Sequence, residues 1–151
     1  MAETGKTPPK GIVKAFVGLH NFLYRISGGR IMGHFGGKKA PVFLLTVKGR
    51  KSGKPITVPL LNIPTDRGYA AIASFGGAPT HPVWYLNLEA AGIAEVQVEN
   101  RHIPVRVEIV DPASDRYAEI WAKAVALYPD YDTYQTRTTR RIPVVELVPT
   151  G

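Results

Sequence analysis

The strongest constraint on the fold is a series of short runs of β-branched and apolar residues, separated by turns rich in glycine, proline and charge. Such runs are typical of β-strands. They cover residues 42–47, 56–63, 69–74, 94–98, 102–110 and 142–148. Because strand follows strand through short turns, we expect an α+β, mainly β fold, with a mostly antiparallel sheet or small barrel.

Helical spacing appears in three places. Residues 12–27 place apolar side chains three and four apart, which predicts an N-terminal amphipathic helix after a flexible segment, 1–10. A second helix is expected to start at residues 80–82 and to stop at Gly92. A third is expected to take Asp111 as N-cap, with Pro112 in its first turn, and to bury Tyr117 and Trp121.

Composition limits the classes of protein to consider. The 151 residues are 44% hydrophobic, which fits a single domain spanning 1–151. With no cysteine, disulfides and thiolate chemistry are excluded, and the four scattered histidines predict no metal site. A net charge of +7 favours acidic ligands, nucleic acid or anionic lipid.

The N-terminal region carries the expectations on location and assembly. Its apolar stretch is interrupted by Lys14, His20 and Arg25, which fits neither a signal peptide nor a membrane-spanning helix, so a cytoplasmic protein is expected. Peripheral membrane contact through the basic N-terminal helix is the alternative. The oligomeric state stays open, with a monomer slightly favoured, because this helix can cover its own barrel or a partner's surface.

The segment 48–55, Lys-Gly-Arg-Lys-Ser-Gly-Lys-Pro, lies between two predicted strands and surrounds two glycines with cations. Glycines let backbone N–H groups approach a ligand, and Ser52, Arg50, Lys51 and Lys54 add donors and charge, so this turn suits phosphate. It does not match a Walker A loop, because its glycines are too close and Pro55 replaces the magnesium-binding hydroxyl. On its own, a solvated basic hairpin turn is the commoner explanation.

A second candidate segment, residues 73–87, runs from a strand through Gly76-Gly77 into a helix start. The N-terminus of a helix offers free N–H groups, and Trp84 and Tyr85 offer aromatic surface for a planar ring. Of the histidines, only His81, directly before Pro82, is a candidate near this segment. Taken alone, Trp84 is more simply explained as a core residue.

These two segments, together with a tail in which tyrosines 128, 131 and 134 precede Arg140 and Arg141, resemble the deazaflavin-dependent nitroreductase family. The resemblance covers about residues 20–149 in the same order along the chain. It implies a split β-barrel that binds coenzyme F420 and uses it as a hydride carrier. It also implies that Arg50, Lys51 and Ser52 occupy the phosphate-binding turn, and that Tyr131 lies at the mouth of the pocket.

The full set of cofactor contacts that the resemblance implies follows the two segments and the strand after the turn. It comprises Arg50, Lys51, Ser52, Ile56, Thr57, Val58, Pro59, Leu60, Leu61, Ile72, Ala73, Ser74, Phe75, Gly76, Gly77, Val83, Trp84, Tyr85, Leu86, Asn87 and Tyr131. For catalysis, Ser74, Tyr131 or Tyr134 can donate a hydrogen bond to an acceptor oxygen as negative charge develops on it.

Two positions depart from the family pattern: Phe75 replaces a usual lysine and Ile56 a usual arginine. Lys54 lies two residues before Ile56, so along an extended strand it projects to the same side. We therefore add Lys54 to the candidate cofactor contacts, as the replacement for the missing charge.

The expected function is F420-dependent reduction of an electron-poor acceptor: a quinone, an activated enone or lactone, or a nitroaromatic compound. An FMN-binding oxidoreductase of the same fold and a non-catalytic F420 carrier are the alternatives. Binding of nucleic acid through the basic turn and Arg137, Arg140 and Arg141 ranks well below these and is not expected, because the aromatic residues lie mostly in apolar or proline-containing contexts rather than among the cations.

Overall fold

The structure is a computed structural model, and it describes residues 34–35 and 40–150. The N-terminal helix expected over 12–27 and the segment 1–10 lie outside the described residues. Strands β1 to β8 span His34–Phe35, Ala40–Lys48, Pro55–Leu61, Ile63–Thr65, Gly68–Ile72, Ile93–Val98, Arg101–Ile109 and Val144–Pro149. Helices α1 to α3 span Val83–Ala91, Asp115–Leu127 and Asp130–Thr136, and Phe75–Gly77 forms one 3-10 turn.

The strands form one curled sheet in the order β1-β2-β6-β7-β8-β5-β4, with β3 on the free side of β2. The pairs from β1–β2 to β7–β8 are antiparallel, as expected. Only Asn62 separates β3 from β4, so the single run predicted over 56–63 becomes two strands. Because β3 pairs with β2 while β4 pairs with β5, this stretch of chain joins the two ends of the sheet. The result is a mostly antiparallel, curled sheet that forms a half-barrel.

Alternation along the strands divides the core into two clusters. In β5, Ala71 belongs with Phe43, Leu45 and Leu147 in a cluster that α1 covers with Tyr85 and Leu88. The neighbouring Ala70 and Ile72 face the opposite way, into a cluster covered by α2 and α3. A period of two along a strand, with both faces covered by helices, explains why these strands are apolar on both faces.

Helix α1 ends where the sequence predicted, whereas helix α2 begins at a different residue. Helix α1 ends where Gly92 adopts a left-handed conformation with φ 72°, as expected. Helix α2 begins three residues later than predicted, because Ser114 and not Asp111 is its N-cap: the Ser114 hydroxyl accepts a hydrogen bond from the Tyr117 N–H at 3.1 Å. Asp111 instead accepts from the N–H of Ala113 at 2.9 Å and closes a turn before the helix.

No helix was predicted after Tyr128, but the tail contains α3. This helix has seven residues and no side chain capping its first turn, so its sequence carries little periodic signal. The final strand begins at Val144 rather than at 142, because the N–H of Ile142 donates to Oε1 of Gln135 at 3.0 Å instead of to a neighbouring strand.

A buried carboxylate attaches α2 to the sheet. Glu146 of β8 is 1% exposed, and it accepts hydrogen bonds from Arg116 of α2 and, at 3.3 Å, from Arg67. Arg116 also pairs with Asp66 at 2.6 Å, and Arg67 with Glu108 at the same distance. Since a buried carboxylate without partners would be costly, both arginines have a structural role that accounts for their charge.

A candidate coenzyme and substrate site

An apolar cavity of about 340 Å³ opens where the ends of β3 and β5 meet the 3-10 turn, α1 and the tail. We call it the aromatic pocket. It is lined by Pro59, Leu60, Leu61, Ile72, Ser74, Phe75, Gly76, Trp84, Tyr128, Tyr131 and Tyr134. All of these except Tyr128 were candidate site residues, so the structure brings together segments that lie up to 75 residues apart along the chain, from 59 to 134.

The pocket hydroxyls differ in their hydrogen bonding. The Tyr128 and Tyr134 hydroxyls lie 3.1 Å apart and share a hydrogen bond. Within the described part of the chain, neither the Tyr131 hydroxyl nor that of Ser74 makes one. Tyr131 is only 6% exposed, and burial, with the nearby Tyr134, raises the pKa of its phenol well above the usual range. Tyr131 therefore keeps its proton at neutral pH and is free to donate it in a hydrogen bond.

Ser74, Phe75 and Gly76 line the pocket and belong to the segment 73–78, which we call the double-glycine corner. Three successive residues have positive φ angles: Phe75 at 46°, Gly76 at 64° and Gly77 at 80°. A side chain is rarely tolerated there, and the aromatic Phe75 is a strained exception. Gly77 also lies against α3, since a Cβ at this position would be 2.5 Å from the Tyr134 carbonyl oxygen.

Arg140 holds the double-glycine corner from behind. Its Nε donates to the carbonyl of Ala78 at 2.8 Å, its Nη2 to that of Ser74 at 2.8 Å and its Nη1 to that of Ala73 at 3.2 Å. Nη1 also lies 3.0 Å from Nδ1 of His81. Sequence reasoning considered Arg140 in the tail motif and in the rejected nucleic-acid alternative, so this role was missed.

The basic segment 48–54, which we call the cationic turn, lies at the far end of α1. A cavity of about 1050 Å³ separates it from the end of α1 and the start of β6, and Arg50, Lys51 and Ser52 line this cavity. The turn is closed by two main-chain bonds, from Gly49 N–H to Lys54 at 2.8 Å and from Gly53 N–H to Gly49 at 2.9 Å. The side chains of Arg50, Lys51 and Lys54 are exposed, so their charge is available to a ligand.

Asn87 of α1 connects the helix to the cationic turn. Its Oδ1 accepts a hydrogen bond from the N–H of Arg50 at 3.0 Å, although the side chain is only 2% exposed. Its Nδ2 is buried and has no partner within the described residues. A buried donor without an acceptor is uncommon, and Asn87 lines neither of the two cavities. The exposed cations of the turn, whose backbone Asn87 holds, fit the acidic arm of a phosphate-bearing coenzyme.

The other candidate contacts surround the two cavities without lining them. Lys54 is exposed, and Ile56 and Val83 are exposed apolar residues at 38% and 63%. Thr57 bonds Thr46 through its hydroxyl at 2.8 Å. Val58, Ala73, Tyr85 and Leu86 pack in or against the core cluster beneath α1. A contact of these residues with a cofactor stays a prediction.

With this geometry in view, comparison with known proteins decides the family. The family model for F420H(2)-dependent quinone reductases matches residues 17–149. The chain belongs to this family. It is therefore an oxidoreductase whose cofactor is coenzyme F420, and the predictions of family, enzyme class and cofactor are confirmed.

Individual members of the family and their solved structures agree. An F420H(2)-dependent quinone reductase from Mycobacterium tuberculosis is 37% identical over 130 residues, which cover 85% of this chain and 87% of that protein. The structure of an F420-H2 dependent reductase, FDR-A, is 38% identical with a TM-score of 0.64, covering 71% of this chain and 93% of the other.

A further structure, described as a domain-swapped dimer, is 32% identical with a TM-score of 0.67, covering 92% of this chain and 98% of the other. The expectation of a monomer therefore stays a prediction. For membrane association, the helices within residues 40–150 include none that is long and apolar enough to cross a bilayer.

Proposed function

We propose that this F420-dependent reductase acts on flat, lipophilic, electron-poor acceptors, with a quinone as the first candidate and activated enones, lactones and nitroaromatic compounds as further ones. The observation that carries the proposal is the aromatic pocket, in which a buried tyrosine with an unpaired hydroxyl faces apolar walls. A planar apolar acceptor fits such walls, and its carbonyl oxygen would give Tyr131 the hydrogen-bond partner that the described residues do not supply.

The chain contributes three kinds of contact to this reaction. The cationic turn, whose backbone Asn87 holds, binds the acidic arm of the coenzyme, whereas Ser74, Gly76 and Trp84 line the space for its ring. When bound, the reduced coenzyme supplies the hydride. The pocket walls hold the reactants together and exclude water, which strengthens every electrostatic interaction within the pocket.

Tyr131 stabilises the acceptor oxygen during hydride transfer. Negative charge develops on the acceptor oxygen as the hydride arrives, and a hydrogen bond from a buried phenol to that oxygen grows stronger as the charge forms. Because the pKa of Tyr131 is raised by burial, its O–H remains intact across the neutral range. Ser74 is the second available donor, and Tyr134 becomes a third if its bond to Tyr128 is given up.

Two measurements test the proposal. Titration of the wild-type protein with coenzyme F420 and, separately, with FMN, followed by fluorescence quenching, should show binding of the deazaflavin only. Reduced F420 should then be oxidised fastest by a lipophilic quinone within a panel that also holds an enone, a lactone and a nitroaromatic compound. Binding without turnover of any acceptor would indicate a carrier, and tighter binding of FMN would indicate a flavin enzyme.

A further inference from the structure

We infer that Arg140 is a positioning residue for the aromatic pocket: its guanidinium group fixes the double-glycine corner in the conformation that presents Ser74 and Phe75 to the coenzyme and acceptor. The inference rests on the proposed function, since the pocket matters only if the reactants bind there. It concerns a residue that itself does not line the pocket.

The corner needs an external support because its own backbone does not favour this shape. Phe75 has a φ of 46°, in the left-handed region that aromatic residues rarely adopt, and Gly76 and Gly77 continue it. Inside the corner, the main chain closes only two short turns, from Gly77 N–H to Ser74 at 2.9 Å and from Ala78 N–H to Phe75 at 3.1 Å. The Ser74 carbonyl thus accepts a bond within the corner, whereas the carbonyls of Ala73 and Ala78 accept none from the main chain there.

Arg140 satisfies those three carbonyls with one rigid group. They flank the strained residues on both sides, and the nitrogens of the guanidinium plane reach all of them at 2.8–3.2 Å. Arginine suits this task because it has five donors in a planar fork and no acceptor, whereas lysine offers a single ammonium group. Within the described residues, no carboxylate forms an ion pair with Arg140, so its bonds to the corner are its main interactions.

The next residue, Arg141, provides a matched control. Its guanidinium carbon lies 4.8 Å from the centre of the Tyr117 ring and 5.8 Å from that of Trp121, both residues of α2. Arg141 is exposed and does not line the aromatic pocket. The same substitution at 140 and 141 therefore removes the same chemical group from two different places.

The first test needs no coenzyme. In Arg140→Lys, we expect hydrogen exchange at the amides of Gly77 and Ala78 to accelerate at least about tenfold, while the amides of β2 and β8 exchange as in the wild type. Arg141→Lys should leave all of these rates unchanged. Unchanged exchange at the corner in Arg140→Lys would overturn the inference, and so would an equal acceleration throughout the sheet, which would mark a general loss of stability.

The second test links the corner to the reaction. Arg140→Lys should weaken F420 binding about tenfold and lower kcat for quinone reduction at least as much, with little change in KM for the quinone, whereas Arg141→Lys should change neither. In a Phe75→Gly background, where glycine adopts the same φ without strain, the effect of Arg140→Lys on F420 affinity should fall below about threefold.

The outcomes separate the inference from the proposed function. Faster exchange at the corner with unchanged affinity and kcat would overturn the positioning role, and so would an effect of Arg140→Lys that is equally large with Phe75 and with Gly at position 75. A wild-type protein that binds no F420 would defeat the proposed function instead, and the exchange rates alone would then decide whether Arg140 supports the corner.

Discussion

The cationic turn and the double-glycine corner lie at opposite ends of α1 and are built in opposite ways. In the turn, the charged side chains are exposed, and the contact outside the hairpin that fixes its backbone is the one from Arg50 to Asn87. In the corner, the conformation of the backbone is fixed by its surroundings. Arg140 donates hydrogen bonds to it on one side, and Gly77 packs closely against α3 on the other.

Because of this difference, we expect the turn to control binding of the coenzyme and the corner to control its orientation. Exposed cations attract an acidic ligand over a distance and adapt to it, so changes in the turn should alter affinity in a salt-dependent way. A corner whose conformation is fixed before the ligand arrives should control orientation, on which the rate of the chemical step depends. Variants in the turn should thus change Kd alone, whereas variants that loosen the corner should also lower kcat.

The largest effect is expected from Gly77→Ala. The new Cβ would lie 2.5 Å from the Tyr134 carbonyl oxygen and 2.9 Å from Cβ of Arg137, at a φ of 80°. Steric overlap and backbone strain together should lower the free energy of unfolding by about 3 kcal/mol, measured by urea denaturation, and should abolish quinone reduction.

Gly76→Ala is the matched control for this prediction. Gly76 has a similar φ of 64°, but a Cβ there would meet no atom within 4 Å. Only the cost of the left-handed conformation remains, about 1 kcal/mol. If both variants lose the same stability, contact with α3 does not fix the corner, and the contrast between the two regions is weakened.

Tyr131→Phe tests the aromatic pocket beside the corner without disturbing the fold. The ring stays buried and only the hydroxyl, which has no partner within the described residues, is removed. We expect kcat for quinone reduction to fall about 100- to 1,000-fold, as for loss of a donor to a developing oxyanion, while the Kd for F420 and the melting temperature stay close to the wild-type values. A variant that retains full kcat would exclude Tyr131 as the donor.

Lys54→Ala tests the turn. If Lys54 replaces the arginine missing at Ile56, its removal should weaken F420 binding about ten- to a hundredfold, the value of a charge-assisted phosphate contact, with kcat at saturating coenzyme unchanged. Lys123→Ala, on α2, removes the same charge away from both cavities and should have little effect. Equal Kd values for Lys54→Ala and the wild type would refute the hypothesis, and the exposed position of Lys54 would then be that of a solvated turn residue.

The parts of the fold that could be predicted from sequence are those with local signals. The alternating strands, Gly92 at the end of α1 and the glycines of the turn and corner each depend on neighbours within a few residues. The choice between Asp111 and Ser114 as N-cap could not be made this way, because both side chains suit an N-cap. Ser114 prevails because it stands three residues before Tyr117, the first buried residue of the helix.

In the candidate site, too, only the parts with local signals could be predicted from the sequence. The residue types of the cationic turn indicate anion binding on their own, whereas the aromatic pocket depended on resemblance to a known family. Nothing local distinguishes Arg137, Arg140 and Arg141, yet only Arg140 bonds several corner carbonyls, across 62 to 67 residues of chain. The unpaired Nδ2 of Asn87 is likewise a product of packing between α1 and the turn, so no sequence pattern could reveal it.

The smallest predicted effect concerns pH and the corner. His81 lies beside Arg140, and its pKa is lowered by burial and, secondarily, by the Arg140 charge, with Glu89 opposing the shift. The unfolded chain, with a histidine pKa of about 6.5, therefore takes up a proton that the folded state resists, so stability is fully present above this pH and declines as the pH falls below it. We expect His81→Gln, which cannot titrate but can still accept from Arg140, to lose less stability than the wild type between pH 7 and pH 5, measured by urea denaturation at both values. An identical decline in the two proteins would show that the corner does not sense this proton, and would leave the polar support of the corner to the three carbonyl bonds from Arg140 and to the bond from Arg137 to the Gly76 carbonyl at 3.3 Å.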